Sequence, residues 1–178
     1  MNESRVLLSL CTGVLLSAIS AVVAAQTAPA NSGYGRIHFN NDKGEEKCTL
    51  AVPEDRQTFS FNSNDEYCEN NMVSSFWLEN VPSATLIQLF ENEACSANQD
   101  ERNFYFLLKT VKQPTDWSQA PNPPDVLTID QLRNAGKGEL LVRKYTRVED
   151  AFVGSELSDD NLNERLSCVY IERSQPVN

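Results

Sequence analysis

Hydrophobic and polar positions alternate with a period of two along most of the chain, the spacing that places every second side chain on one face of a strand. Arg36-Ile37-His38-Phe39-Asn40 sets the pattern, with Ile37 and Phe39 turned to one face and His38 to the other, exposed one. Asn41 to Gly44 reads as a turn, and further strands are predicted over 47–52, 57–61, 73–78, 84–90, 104–111, 138–148 and 167–172. Between them stand Pro53-Glu54-Asp55, the polar stretch 62–71 and Asn80-Val81-Pro82-Ser83, all built from residues that favour turns. Within 84–90 the inward pair is either Leu86 and Leu89 or Ile87 and Phe90. Leu140, Val142 and Tyr145 are candidates for burial in 138–148, and Val169 and Ile171 in the last strand.

Two stretches depart from this alternation. QPTDWSQAPNPP, residues 113–124, carries Pro114, Pro121, Pro123 and Pro124 and is expected to be irregular, because each proline fixes φ and removes a backbone donor. Thr128-Ile129-Asp130-Gln131 has the spacing of a capping box, in which hydroxyl and amide satisfy free N–H groups at a helix start. A two-turn helix is therefore predicted over 129–135, ended by Gly136 in the left-handed conformation, and a second short helix within 158–166. Strands separated by turns, with no βαβ alternation, give a mainly β class: a Greek-key β-sandwich with one or two short helices.

The leading residues stand apart from the fold. Arg5 precedes the apolar run Val6 to Leu16, and small residues follow as far as Val23-Ala24-Ala25. This is the layout of a signal peptide, cut after Ala25. The uncharged run is about as long as a membrane span, but no Lys/Arg cluster follows it, so the membrane is expected to be met only during export. Residues 26–35, rich in Ala, Pro, Ser and Gly, read as a flexible leader, and 36–173 as a single β-sandwich domain. Export also sets the redox chemistry. Cys48, Cys68, Cys95 and Cys168 remain after cleavage, and an even number in an exported chain reads as two disulfides. Three pairings are open. Cys48–Cys68 with Cys95–Cys168 is favoured, since the first closes a short loop and the second ties the ends of the domain. The expected location is periplasmic or secreted.

Charge and side-chain inventory narrow the function. Asp and Glu number 25 against 15 Lys and Arg, a net charge of -10. With no basic run, this argues against nucleic acid and anionic membrane surfaces and suits a cation or a basic protein partner. No mature cysteine lies in a CxxC pair and His38 is the single histidine, which sets aside thiol redox catalysis and metal sites needing several histidines. The carboxylate pairs Glu45-Glu46, Glu54-Asp55, Glu149-Asp150 and Asp159-Asp160 read as solvated turns. No phosphate-binding or nucleophile-elbow motif is present. A non-enzymatic role is expected.

The most informative short stretch is Asn70-Asn71-Met72-Val73-Ser74-Ser75. Its pattern, two Asn/Asp, two free positions, then Ser/Thr and Ser, resembles the calcium-binding signature of the βγ-crystallin family. A poorer copy follows at Asn163-Glu164-Arg165-Leu166-Ser167-Cys168, with Glu in the second place and Cys in the last. Each copy runs straight into an apolar strand, Phe76-Trp77-Leu78 in one and Val169-Tyr170-Ile171 in the other. The resemblance implies two related Greek-key halves, 36–112 and 125–173, joined by the Pro-rich loop. It also implies calcium held by Asn70, Asn71, Met72 and Ser74 in the first copy and by Asn163, Glu164 and Ser167 in the second, through hard amide, hydroxyl, carboxylate and backbone oxygens. Trp117 in the Pro-rich loop and Tyr105 in Phe104-Tyr105-Phe106 are the candidate aromatic anchors for a protein partner. The expected function is an exported binding module stabilised by calcium. The alternatives are an inhibitor or immunity protein that inserts the Trp117 loop into a hydrolase, and a secreted toxin or effector.

Overall fold

The computed structural model describes residues 33–62, 68–118 and 124–174. The predicted signal peptide, most of the predicted leader, and parts of the 62–71 and Pro-rich stretches lie outside the described residues. Ten strands form among the described residues: β1 (Arg36–Asn40), β2 (Glu46–Ala51), β3 (Arg56–Ser60), β4 (Ser75–Glu79), β5 (Thr85–Phe90), β6 (Phe104–Thr110), β7 (Leu127–Thr128), β8 (Leu140–Leu141), β9 (Thr146–Val153) and β10 (Cys168–Arg173). They make two antiparallel sheets, one ordered β2-β1-β4-β7 and the other β3-β10-β5-β6-β9-β8. All but one of the predicted strands are present with ends within two residues.

Period-two patterning and strand register together build the core. Ile37 pairs with Leu50 on one side and Leu78 on the other, and Phe39 with Phe76, so one face of the first sheet is continuously apolar. In the second sheet Ile87 lies opposite Leu108 and Ile171, and Leu89 opposite Phe106 and Val169. All of these side chains are at most 1 % exposed and belong to one cluster, a β-sandwich core. The inward pair of β5 is therefore Ile87 and Leu89. Phe90 turns to the other face. The Pro-rich stretch does not divide the sheets, since β5 and β6 before it share a sheet with β9 and β10 after it.

Both disulfides pair as the spacing favoured, Cys48–Cys68 and Cys95–Cys168. The second does more than cross-link. On the outer face of the larger sheet, Cys168, Phe90, Tyr105 and Phe152 stand side by side on four adjacent strands. The Cys95–Cys168 bond ties the 91–103 connection to this row, and Phe90, Tyr105 and Cys168 form a small second cluster with Cys95, Phe152 and Tyr170 packed against it.

Three local expectations are corrected. The run 138–148 is a hairpin and not a strand: Val142, Arg143 and Lys144 take positive φ values of 37, 55 and 65°, reversing the chain between β8 and β9. The predicted helix over 129–135 is a 3₁₀ segment, Asp130–Asn134. Its box is present, with Gln131 N–H donating to Thr128 Oγ1 (3.1 Å) and Thr128 N–H to Gln131 Oε1 (3.0 Å). Only Leu132 of this segment is buried, too little apolar face to carry a longer helix. The chain leaves it through extended Ala135, and the left-handed glycine is Gly138, not Gly136. No helix forms over 158–166. Its backbone is drawn instead to the 3₁₀ segment: the Arg133 guanidinium donates to the carbonyls of Leu157 (2.6 Å), Ser158 and Asp160, and Leu162 N–H donates to Asp130 Oδ1 (3.0 Å).

Loop closure ranks the two staples. The sequence separations are 73 for Cys95–Cys168 and 20 for Cys48–Cys68, worth about 4 and about 3 kcal/mol by chain entropy. Urea unfolding of the two double Cys→Ala variants is expected to show the larger loss for Cys95/Cys168, which also removes packing from the outer cluster. Equal losses would contradict this ranking.

Candidate functional site

The two motif copies meet at one end of the sandwich, and their backbones are bonded in matching ways. Asn71 N–H donates to Leu166 O (3.4 Å), and Glu164 N–H to Val73 O (2.8 Å), so the second residue of each copy reaches the fourth of the other. Ser74 N–H donates to Asn40 O (2.8 Å) at the end of β1, and Ser167 N–H to Phe90 O (2.9 Å) at the end of β5. Ile129 N–H donates to Ser74 O (2.9 Å), and Phe61 N–H to Ser167 O (2.8 Å). Asn71 and Glu164 also share the left-handed conformation, with φ of 58 and 63°. Asn adopts it readily; Glu does so at some cost.

Side-chain chemistry separates the copies. In the first, Asn70 Nδ2 donates to Glu93 Oε1 (2.8 Å), a residue of the β5–β6 connection. Asn70 Oδ1 and Ser74 Oγ are buried with no hydrogen-bond partner among the described residues. A buried oxygen without a donor is costly, and two of them in one loop are the hard, neutral ligands that calcium takes. Asn71 is exposed and Met72 half-buried beside them. In the second copy Asn163 Oδ1 already accepts Asp130 N–H (3.1 Å), Glu164 is exposed, Ser167 is buried, and Arg165 brings its own positive charge, paired with Asp160 at 2.9 Å. The first copy fits a cation. In the second, the Asn163 side-chain oxygen is already taken by a backbone donor.

Glu91 lies beside this end of the molecule. Burial pushes its carboxyl above the ordinary range; Arg165 and Arg102 pull the other way, and Glu93 adds to the rise. This carboxylate and Glu93 come from a connection that carries no motif, and only the cysteine at 95 marks the segment in sequence.

The two aromatic anchors are not presented to solvent. Trp117 is fully buried: its ring packs on Phe76 with centroids 5.6 Å apart, and its backbone N–H donates to Leu78 O (2.8 Å). The described start of the Pro-rich stretch, residues 113–118, forms no helix or named strand, but Thr115 bridges to Val81 and lays this part along the smaller sheet. Tyr105 is 5 % exposed, stacked on Phe152, and its hydroxyl donates to Asp150 Oδ2 (3.2 Å). Neither ring offers a free face to a partner.

His38 turns away from Ile37 and Phe39 as its position requires, yet it is 8 % exposed, not open to solvent. Its ring stacks on Trp77 at 3.7 Å and lies between two carboxylates, Nδ1 at 3.0 Å from Glu46 Oε2 and Nε2 at 3.1 Å from Glu79 Oε2. These partners come from β2 and β4, invisible to a reading of β1 alone.

Comparisons of the chain with protein-family models, with curated proteins and with solved structures find no match.

Two outcomes follow from this geometry. A carboxyl whose folded pKa is raised costs stability when ionised, so the penalty is absent in acid and grows as pH rises through the folded value. Without added metal, Glu91→Gln is expected to melt above the parent at pH 7, with the difference vanishing by about pH 4. A difference that instead grows in acid would refute the burial argument. Trp117→Ala should cost about 3–5 kcal/mol in urea unfolding, as expected for a core aromatic and not for a surface anchor.

Proposed function

We propose that this chain is an exported, non-enzymatic binding module: a double Greek-key β-sandwich of the βγ-crystallin kind, braced by a calcium ion in its 70–75 loop. The strand order supports the topology. β1, β2 and β4 lie in one sheet while β3 crosses to pair with β10; β5, β6 and β10 lie in the other while β7 crosses to pair with β4. Each half thus lends its third strand to the opposite sheet, and the matched backbone bonds of the two motif copies follow the same two-fold relation. On this reading the halves divide between β4 and β5 and not at the Pro-rich loop, and the β8–β9 hairpin is an insertion before the last strand.

The unpartnered pair Asn70 Oδ1 and Ser74 Oγ carries the calcium reading. An ion there draws these two oxygens, a backbone carbonyl of the loop and the neighbouring Glu93 carboxylate toward one charge, joining the first motif to the β5–β6 connection. The engagement of Asn163 Oδ1 in the second copy supports one ion in place of the two that the resemblance implies. Support for a non-enzymatic role comes from how the reactive groups are used. Cys48, Cys68, Cys95 and Cys168 are all bonded in disulfides, and His38 is held between Glu46 and Glu79. Two disulfides fit an oxidising compartment outside the cytoplasm, and no helix among the described residues is long and apolar enough to cross a membrane. The inhibitor alternative loses its inserting side chain, because Trp117 lies in the core.

Millimolar calcium is expected to raise the melting temperature of the metal-free mature protein by a few degrees, the effect of a ligand at about ten times its Kd. Asn70→Ala and Ser74→Ala should each abolish that gain without changing the calcium-free melting by more than about 1 kcal/mol. No shift up to tenfold higher calcium would sink the calcium reading.

A further inference from the structure

A second polar feature lies apart from the motif loops. A cleft of about 550 Å³ opens between the β5–β6 connection and the turn that follows β9. Glu91, Asp100, Glu101 and Glu156 line it, against a single cation, Arg102. Arg102 is 83 % exposed and stands 3.8 Å from Glu156, a loose rim contact.

The walls are fixed by backbone. Gly154 N–H donates to Asn103 O (2.8 Å), Glu156 N–H to Glu101 O (3.0 Å) and Asn103 N–H to Asp100 O (3.1 Å). The approach is so close that a Cβ on Gly154 would lie 2.2 Å from Glu101 O, so only glycine fits there. The Cys95–Cys168 bond anchors the same connection.

Asn103 forms part of the lining and is 3 % exposed. Its Nδ2 donates to Ser96 O (3.2 Å) and to Asn98 O (2.6 Å) and Oδ1 (2.5 Å), none of them on residues of the cleft wall. Those acceptors fix which way the amide faces. Oδ1, on its other side, is buried and has no hydrogen-bond partner among the described residues. A buried acceptor without a donor, on a residue that lines a cleft of carboxylates, calls for a donor that is also a cation. The acidic side chains do not gather into a metal cage: no group of three His, Cys, Asp or Glu among the described residues is placed to hold a metal ion. Spread-out acceptors in a roomy cleft suit a guanidinium, whose five donors point along several directions in one plane.

We propose that this cleft binds an organic cation, a guanidinium or ammonium group carried by a basic segment of a protein partner, with Asn103 Oδ1 as the buried acceptor and Glu91 and Glu156 as the charged walls. Arg102 swings aside to admit it. The site shares no residue with the 70–75 loop and does not depend on calcium there. It gives the acidic surface a specific partner chemistry, and the partial burial of Glu91 removes competing water from one of its walls.

Amide NMR titration of the intact mature protein with a short arginine peptide tests this, alongside the same peptide with neutral citrulline, spermidine, and calcium chloride. The arginine peptide is expected to shift the Asn103 side-chain amide and the Gly154 backbone amide together, saturably. Citrulline should bind at least about tenfold more weakly, as should the arginine peptide with Glu91→Gln/Glu156→Gln. Millimolar calcium should leave peptide binding unchanged, which separates this site from the calcium loop. Tighter saturation by spermidine than by the peptide would support the cation site and assign it to a free polyamine. Equal binding of citrulline, no shift of Asn103 or Gly154, or calcium saturating these same signals would overturn the proposal. The citrulline comparison uses the unaltered protein and decides the matter even if the double variant fails to fold.

Discussion

Two short strands that leave their own neighbours hold this molecule together. β3 bonds to β10 across five residue pairs and β7 to β4 across two, so neither sheet is complete with the strands of one part of the chain. Backbone donors cannot be buried without acceptors, and here the acceptors at the ends of the crossing strands belong to the motif loops: Phe61 N–H finds Ser167 O, and Ile129 N–H finds Ser74 O. The loops then bond to one another. Pulling either loop away strips partners from both sheets at once, so the end of the sandwich that carries the motifs is also the place where the sheets are joined.

That dependence explains why the motif copies agree in backbone and differ in side chain. The backbone bonds are demanded by the crossing, and any residue able to take the left-handed turn at the second position satisfies them, including Glu164 at some cost. Side chains there are free to specialise. One copy leaves Asn70 Oδ1 and Ser74 Oγ open. The other spends Asn163 on Asp130 N–H, while the neighbouring 157–160 carbonyls fold onto Arg133, an internal cation 17 % exposed. One end of the molecule thus sets a loop with two unpartnered buried oxygens beside a segment whose carbonyls are taken by a cation of the protein itself.

Much of the fold is written in the sequence because it depends on near neighbours. Alternation at Ile37/Phe39 and Val169/Ile171 locates strands, since burial of one face requires it, and cysteine spacing favours the observed pairing. What stays hidden depends on chain reversal or distant contact. The β8–β9 turn is made by Val142, Arg143 and Lys144, none of which announces a positive φ as Gly or Asn would. A capping box at Thr128 reports where a helical turn begins but not how many turns the packing can reward. The prolines around Trp117 mark an irregular backbone, yet whether such a segment hangs in solvent or lies on a sheet is decided by Val81 and Leu78, which lie 34 residues before Thr115 and 39 before Trp117. At the candidate sites the motif residues were legible, and Glu91, Glu93 and Asn103 were not, because their roles arise only when the 91–103 connection is pinned over the outer sheet.

That connection is where the structure concentrates its unusual chemistry. It carries a disulfide to β10, a roof over Tyr105 and Phe90, a carboxylate touching the first motif, a desolvated carboxylate and a buried amide oxygen lacking a donor. A connection of this length gains nothing from unmet polar groups in the folded state, since each lowers stability. A rigid scaffold that holds them in place does allow a ligand to recover their hydrogen bonds without first ordering the loop. The sandwich supplies the rigidity, the Cys95–Cys168 staple transfers it to the loop, and the unsatisfied acceptors are what remains for a cationic partner to complete.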